Sequence, residues 1–136
     1  MANEYELTND VDAPADAAWA VVGDVTSVPR WYPKYVTCEV EGDIRTLRSA
    51  DGAELVERLL VRDDAERRYS YTVIAGPPLR SHLASFQVLP HGDGSTIVWH
   101  TLATFVDETI DTEERLGASQ RDGLERLKAL CEAAAG

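Results

Sequence analysis

Hydrophobic and polar residues alternate at the start of the chain and then change to a helical spacing. Over residues 5–11 the odd-numbered positions are mainly apolar and the even-numbered ones polar, which predicts a strand with one buried face. Pro14 suits the first position of a helix, and residues 15–23 place Ala, Trp and Val side chains on one helical face. A second helical turn over residues 28–31 ends at Pro33. The pattern therefore predicts one strand followed by two short helices.

Strand patterns separated by turn signals occupy the middle of the chain. Gly42-Asp43, Asp51-Gly52 and the glycine-rich segment 92–95 are sequences typical of tight turns. Between such turns lie six further predicted strands, over residues 36–41, 44–48, 53–62, 68–74, 82–89 and 96–105. Because strands and helices do not alternate along this stretch, the pattern argues for an antiparallel sheet.

A long amphipathic helix is predicted over residues 111–135. Asp111 is a suitable N-cap, and Glu114, three residues later, is its capping-box partner. The buried face of this helix is defined by side chains at helical spacing, namely Leu116, Gln120, Leu124, Leu127 and Cys131. Together the elements predict an α+β fold, a single domain over residues 1–136 in which a seven-stranded curved antiparallel sheet closes around this helix.

Composition and charge limit the classes of function. With 13 basic and 24 acidic residues the net charge is −11, which opposes binding to nucleic acid or to an anionic membrane surface. No apolar run approaches the roughly 18 residues of a membrane span, and the N-terminus shows no targeting pattern. Cys38 and Cys131 are far apart, as expected of free thiols in a reducing compartment. We therefore expect a cytoplasmic protein, a monomer or a homodimer, that binds neither nucleic acid nor membrane.

The sequence shows no motif for a metal or a cofactor. His82, His91 and His100 lack the spacing of metal ligands, and His91 falls in a predicted turn. The GDGS sequence of residues 92–95 belongs to a hairpin and not to a phosphate-binding loop. We expect no metal and no cofactor.

The order and spacing of four segments resemble a known superfamily. These segments are VDAPADAAWAVVGDV, VPRWYPKY, ELVERLLVRDDAERRYSYTVIAG and GLERLKALCE. In this order they resemble the Bet v 1-like, START-related (SRPBCC) superfamily, which includes bacterial polyketide cyclases and the plant abscisic-acid receptors, and in particular its small cyclase/dehydrase-like members. The resemblance implies a helix-grip fold with an apolar cavity between the sheet and the terminal helix. It also implies a small hydrophobic or aromatic ligand, although a fold by itself does not fix function.

Strand parity predicts which side chains of segment 53–62 face the cavity. Glu54, Arg58 and Arg62 share one face, which should meet water, so the opposite face with Leu55, Glu57, Leu59 and Val61 should point inward. Glu57 would then be a carboxylate among apolar neighbours. It could serve as a polar anchor or general base, as the matching Glu of the hormone receptors implies, or be satisfied by a buried Arg or by water.

The same argument places further candidates on the cavity wall. Tyr69, Tyr71 and Val73 share one face of their strand, and His82, Ala84, Phe86 and Val88 share one face of the next. The alternation in the predicted strand over residues 96–105 allows either face to point inward. Aligning this strand with that of the abscisic-acid receptors favours His100 inward. The remaining expected wall residues lie on the helices, at Trp31, Leu116, Ser119, Gln120 and Gly123.

The cyclase resemblance carries over only in part. Tyr35 falls where polyketide aromatase/cyclases have a pocket Tyr implicated in catalysis, but their pocket Arg falls near Leu59 and their helix Asn at Gly123. Loss of two of the three polar groups argues against that particular mechanism. A different set could act instead, with Glu57 or a pocket His as the base.

Two functions are consistent with these residues. One is binding of a polyketide-like or aromatic molecule with acid–base catalysis of its cyclisation or dehydration, for which Tyr35 or Tyr71 would be the proton donor. The alternative is a non-catalytic carrier or sensor of small molecules or lipids. In that case the loops over residues 29–34, 50–53 and 76–81 would close over the ligand.

Overall fold

The strands and helices follow one another in the predicted order. The computed structural model of the protein describes residues 2–136. Its elements are β1 (Glu4–Val11), α1 (Ala15–Val22), α2 (Val28–Trp31), β2 (Tyr35–Glu41), β3 (Ile44–Ser49), β4 (Glu54–Asp63), β5 (Arg68–Ala75), β6 (Leu79–His91), β7 (Gly94–Phe105) and α3 (Thr112–Ala135).

The seven strands form one antiparallel sheet with the order β1-β7-β6-β5-β4-β3-β2. Strands β2 to β7 follow one another as a meander, and β1 joins the far edge beside β7, where Glu4 pairs with Leu102 and Val11 with Ser95. The sheet curves around α3, which packs against β1, β7, α1 and α2. This arrangement confirms the predicted α+β helix-grip fold.

The start of α3 is fixed by its cap and by the N-terminal segment. The Asp111 carboxylate accepts a hydrogen bond from the Glu114 backbone N–H at 3.1 Å, so Asp111 is the N-cap that the sequence predicts. Its second oxygen accepts from the backbone N–H of Ala2 at 3.0 Å. Thr112, fully buried, donates its hydroxyl to the backbone carbonyl of Ala103 at 2.7 Å. These bonds hold the helix to both β7 and the segment before β1.

The outer half of β4 departs from the expected alternation. Val61, expected to point inward, is 61% exposed. The cause is a register shift against β5 between Leu59 and Arg62. An extra residue in one strand of a ladder exchanges the faces of all residues beyond it, so the prediction for Val61 was wrong. Arg62 is exposed, as expected, and its guanidinium donates to the backbone carbonyl of Gly23 and lies 5.0 Å from the Trp19 ring centroid.

The facing of β7 also corrects a prediction. His100 lies on the outer face, where its Nε2 is 3.0 Å from a carboxylate oxygen of Glu4, and not in the interior. In the antiparallel ladder His100 pairs with Glu6, and directly paired residues share one face of the sheet. Since Tyr5 and Leu7 of β1 point inward, the partners of Glu6 and its even-numbered neighbours must point outward. The inward positions of β7 are Ile97, Trp99, Thr101, Ala103 and Phe105.

Candidate functional site

A cavity of about 340 Å³ lies between the concave face of the sheet, α2 and the N-terminal half of α3. This volume is at the lower end of the roughly 300–1,000 Å³ of small-molecule sites. The residues around it are Val28, Trp31, Tyr32, Lys34, Tyr35, Arg45, Leu47, Leu55, Glu57, Tyr71, Val73, Pro77, Pro78, Leu79, His82, Phe86, Trp99, Phe105, Arg115, Leu116, Ser119 and Gln120.

Aromatic rings form most of the deep wall. Phe86 and Trp99 stack with their centroids 4.6 Å apart, and Trp31 meets both rings edge-on at 5.6 Å. The indole N–H of Trp99 donates to the Tyr71 hydroxyl at 3.0 Å. These rings pack against one another and form an apolar wall of the cavity.

A buried ion pair provides the main polar feature of the cavity. Arg45 on β3 and Glu57 on β4 are only 2% and 4% exposed, and they are direct partners in the ladder. Both Nε and Nη2 of Arg45 lie 2.8 Å from Oε1 of Glu57. The remaining nitrogen, Nη1, donates to the Val25 carbonyl at 3.1 Å and to the Tyr69 hydroxyl at 3.3 Å. The guanidinium is therefore held from three sides.

Glu57 keeps one oxygen for the cavity. Within residues 2–136, the hydrogen bonds made to this carboxylate go to Oε1, and Oε2 accepts none. Burial raises the pKa of the Glu57 carboxyl, and the Arg45 guanidinium opposes that rise. Burial also disfavours the charge of Arg45, but Tyr69 and Glu57 outweigh this effect and raise the pKa of the guanidinium. The pair thus presents one carboxylate oxygen to a ligand, next to a cation that cannot lose its proton.

Sequence reasoning missed Arg45, although a signal for it was present. Leu47 is an inward residue of β3, and strand alternation puts Arg45 on the same face two residues earlier. The hypothesis that a buried Arg satisfies Glu57 therefore describes this pair, and Glu57 also contributes to the cavity wall. The role of Glu57 as a polar anchor or general base stays a prediction.

His82 contributes a neutral imidazole to the cavity wall. Its Nδ1 accepts a hydrogen bond from the backbone N–H of Val73 at 3.1 Å, which assigns the tautomer with the proton on Nε2. Burial lowers the pKa of His82 to about 4. At neutral pH the ring is therefore uncharged, and Nε2–H is its remaining donor.

Four further polar side chains border the cavity, Tyr32, Tyr35, Ser119 and Gln120. Burial raises the pKa of the Tyr35 hydroxyl to about 12, so this group stays protonated and can donate. Near the surface, the Tyr32 and Ser119 hydroxyls lie 2.9 Å apart and connect the segment after α2 to α3. Deeper inside, Gln120 accepts from the Tyr5 hydroxyl at 2.6 Å.

Most of the expected wall residues border the cavity, but seven do not. Those that border it are Trp31, Tyr35, Leu55, Glu57, Tyr71, Val73, His82, Phe86, Leu116, Ser119 and Gln120. Two of the seven that do not are Val61, which is exposed on the outer half of β4, and Val88, which is fully buried in the core. Of the other five, His100 lies on the outer face, as described above. Tyr69 lies behind Arg45, Ala84 has too short a side chain to reach past the rings, and Leu59 packs into the core beside Tyr71. Gly123 is covered by Trp31, whose ring would lie 3.4 Å from a Cβ at this position.

Neither a metal-binding cluster nor a membrane-spanning helix occurs in the part of the chain that the structure describes. Among the described residues, no group of three or more His, Cys, Asp or Glu side chains is placed to hold a metal ion. No helix within residues 2–136 combines the length and the apolar character needed to span a bilayer. What the cavity offers is an aromatic wall with a few donors and one free carboxylate oxygen.

Solved structures of similar proteins share this architecture. The XoxI protein from Bacillus cereus is 26% identical with a TM-score of 0.84, covering 93% of this chain and 94% of that one. A protein from Thermobifida fusca is 29% identical with a TM-score of 0.78, covering 97% and 95%. A START superfamily protein from Mycobacterium smegmatis shares the fold at 14% identity, with a TM-score of 0.82 over 96% and 97%.

Sequence comparison gives the family directly. No curated protein matches the chain. Residues 3–132, however, match the family described as polyketide cyclase / dehydrase and lipid transport. This match covers every strand and nearly all of α3, including the complete cavity wall. The chain therefore belongs to the polyketide cyclase / dehydrase and lipid transport family.

Proposed function

We propose that the protein binds a small aromatic or hydrophobic, polyketide-like molecule in the cavity between the sheet and α3. The observation that carries this proposal is the aromatic-walled cavity of about 340 Å³ with an Arg45–Glu57 pair set into its wall. A few fixed polar groups in an otherwise apolar cavity are typical of small-molecule sites. The family supports ligand binding in general terms.

The polar groups favour a ligand that carries both a hydrogen-bond donor and a carbonyl. The free Oε2 of Glu57 accepts from a ligand hydroxyl. The Tyr35 hydroxyl and the Nε2–H of His82 are donors suited to carbonyl oxygens. A phenol, an enol or a hydroxyketone joined to a flat apolar body satisfies both requirements. Polyketide-like molecules have this combination of groups.

The same groups support acid–base chemistry on such a ligand. Glu57 would remove a proton from a carbon next to a carbonyl, and Tyr35 would donate to the enolate oxygen that forms. The enolate carbon would then attack a second carbonyl of the same molecule, and the oxygen of that carbonyl would take the proton held by Glu57. Alternatively, the enolate would expel a hydroxyl group from the neighbouring carbon, and this group would take that proton and leave as water. Cyclisation or dehydration follows without any external oxidant or reductant.

A carrier or sensor without catalysis is the second candidate, and a specific observation favours it. Burial raises the pKa of the Glu57 carboxyl, but the Arg45 guanidinium, 2.8 Å away, opposes that rise and binds one of the two carboxylate oxygens. In addition, Nδ1 of His82 is occupied by the Val73 N–H. Both potential bases are thus committed to structural partners, as expected of groups that orient a ligand.

Binding is tested with a bulky residue placed in the cavity and a matched control on the other face of the same strand. Val73 of β5 borders the cavity, whereas its neighbour Ile74 points outward and is 45% exposed. We expect Val73→Trp to abolish binding of aromatic ketones and phenols in native mass spectrometry, because the indole fills the cavity. Ile74→Trp should bind as the wild type does. Equal binding by both variants would contradict the proposed site.

Catalysis is tested separately by incubating the protein with linear poly-β-ketones and following products by chromatography and mass spectrometry. If the protein is an enzyme, loss of water from the substrate should be accelerated by the wild type and not by Glu57→Gln. If a poly-β-ketone binds but is recovered unchanged, the carrier or sensor function is supported.

A further inference from the structure

Two cations at the mouth of the cavity have no carboxylate partner. Within residues 2–136, which hold all 13 Lys and Arg residues, nine of these cations have a carboxylate oxygen within 4.0 Å. The four that lack one are Arg30, Lys34, Arg68 and Arg115. Lys34 and Arg115 border the cavity and are exposed, which places them at its mouth. Their position is notable in a chain with a net charge of −11, where acidic partners are abundant.

Each of these cations lies over an aromatic ring of the wall. The Lys34 ammonium is 5.6 Å from the centroid of the Tyr35 ring, and the Arg115 guanidinium is 5.7 Å from that of Phe105. Both rings border the same cavity. Cation–π contact restricts the side chains to the rim, so the positive charges are held where a ligand enters.

Two carboxylates whose pKa values the mouth cations help to lower are hydrogen-bonded within their own turns. Asp51, which is close enough to sense Lys34, accepts hydrogen bonds from Ser49 and from the Ala53 N–H within its own turn. Asp107, which senses Arg115, accepts both the backbone N–H and the hydroxyl of Thr109. Neither carboxylate pairs with a mouth cation, which leaves the two positive groups available to a ligand.

Around the start of α3 other acidic groups are mostly paired as well. Glu113 lies 3.1 Å from Arg121, and Glu108 pairs with Arg80. The Glu114 side chain is exposed to solvent.

We propose that the ligand is an amphipathic anion, with an aromatic body inside the cavity and a single anionic group held at the mouth by Lys34 and Arg115. This inference rests on the proposed function and adds the charge and the orientation of the ligand. The interior excludes the reverse orientation, because the charge of Arg45 is already matched by Glu57 and the free carboxylate oxygen repels an anion. A carboxylate, sulfonate or phosphate would be accommodated only at the rim.

The test uses two fluorescent probes that differ only by one anionic group, anilinonaphthalene sulfonate and phenylnaphthylamine. The variant Lys34→Met/Arg115→Met removes both charges and keeps apolar side chains of similar length over the rings. We expect the affinity for the sulfonate to fall about tenfold, since each exposed ion pair contributes up to roughly fivefold. The affinity for the neutral probe should be unchanged.

Arg68→Met is the matched control, because Arg68 is also without a carboxylate partner but does not border the cavity. It should leave the binding of both probes unaltered. Circular dichroism melting of all variants verifies that they remain folded.

Two outcomes overturn the inference in different ways. If the wild type binds the neutral probe, and the double variant loses both probes equally or neither of them, the anion is not held by these cations and only this inference fails. If the wild type binds neither probe, the cavity does not accept aromatic ligands of this size and the proposed function fails with it.

Discussion

Arg45 and Glu57 form the most consequential pair of side chains in the molecule. Removing two charges from water costs free energy, and an ion pair regains it only with close geometry and further hydrogen bonds. Here the guanidinium uses its remaining nitrogen on Val25 and Tyr69, which connects β3 to the segment between α1 and α2. The pair therefore shapes one wall of the cavity and joins a loop to the sheet.

We expect Arg45→Met to lower the free energy of unfolding by about 3–5 kcal/mol, because it leaves the Glu57 carboxylate buried without a partner. Arg45→Met/Glu57→Leu, which removes both charges, should recover most of this loss. The exposed pair of Arg48 with Glu54 supplies the control, and Arg48→Met should unfold close to the wild type in urea. A double variant no more stable than Arg45→Met would show that the loss is not due to an unpaired charge.

His82 makes stability depend on pH in a defined window. Its pKa is lowered by burial from the ordinary 6.5 to about 4, so between these values the unfolded chain binds a proton that the folded protein does not. The contribution of neutral His82 to the free energy of unfolding is therefore fully present above pH 6.5 and is lost as the pH falls to about 4. The difference corresponds to roughly 3 kcal/mol.

The variant His82→Asn lacks the titrating ring. Between pH 6.5 and about 4 its free energy of unfolding should therefore fall by roughly 3 kcal/mol less than that of the wild type. Urea unfolding at a series of pH values measures this free energy for both proteins. His91→Asn removes an imidazole from the exposed end of β6 and is the control. Parallel curves for His82→Asn and the wild type would contradict the buried neutral state.

Among the helices, α3 is the one in which a glycine lies against an aromatic ring. A glycine in a helix interior lowers the stability of the helix by roughly 1 kcal/mol relative to Ala. A Cβ atom at position 123 would lie 3.4 Å from the Trp31 ring, which is an ordinary contact distance. Gly123→Ala should therefore raise the free energy of unfolding by up to about 1 kcal/mol.

Gly23 is the matched position at the end of α1. A Cβ at this position would lie 2.7 Å from the Trp19 ring, and such overpacking costs about 1–3 kcal/mol. Gly23→Ala should lower thermal stability where Gly123→Ala raises it. If both variants lower it by the same amount, the spacing between α3 and Trp31 is tighter than the structure indicates.

The elements differ in how far the sequence determines them. Helical spacing, Pro14 and the Asp111 cap identify α1 and α3, and glycine-rich turns identify the strands. The inward face of β7 could also have been derived, because β1 has a clear buried face and pairs with it. The bulge that exposes Val61 could not, since an irregular ladder depends on the neighbouring strand and leaves no mark in alternation.

The candidate site, too, could be predicted from the sequence only in part. Parity placed Glu57, Tyr71, His82 and Phe86 on inward faces, and all four border the cavity. Whether a side chain on the correct face reaches the cavity is decided by what packs in front of it. Trp31 covers Gly123, and Arg45 separates Tyr69 from the cavity.

At the scale of the whole molecule, all seven strands belong to one sheet that curves around one helix. Cutting the chain anywhere between β2 and β7 would divide both the sheet and the cavity wall. We therefore propose that residues 1–136 form a single domain. The cavity then depends on elements from the whole length of the chain.

The position of β1 beside β7 has a consequence for the time course of folding. Glu4 must find Leu102, and Ala2 must find Asp111, across nearly the full length of the chain. Contacts between residues so distant in sequence require closure of a long loop before they contribute stability, which slows folding. During synthesis, the first strand to leave the ribosome is the one that waits longest for its neighbour, and until then its inward-facing Tyr5 and Leu7 stay in contact with solvent.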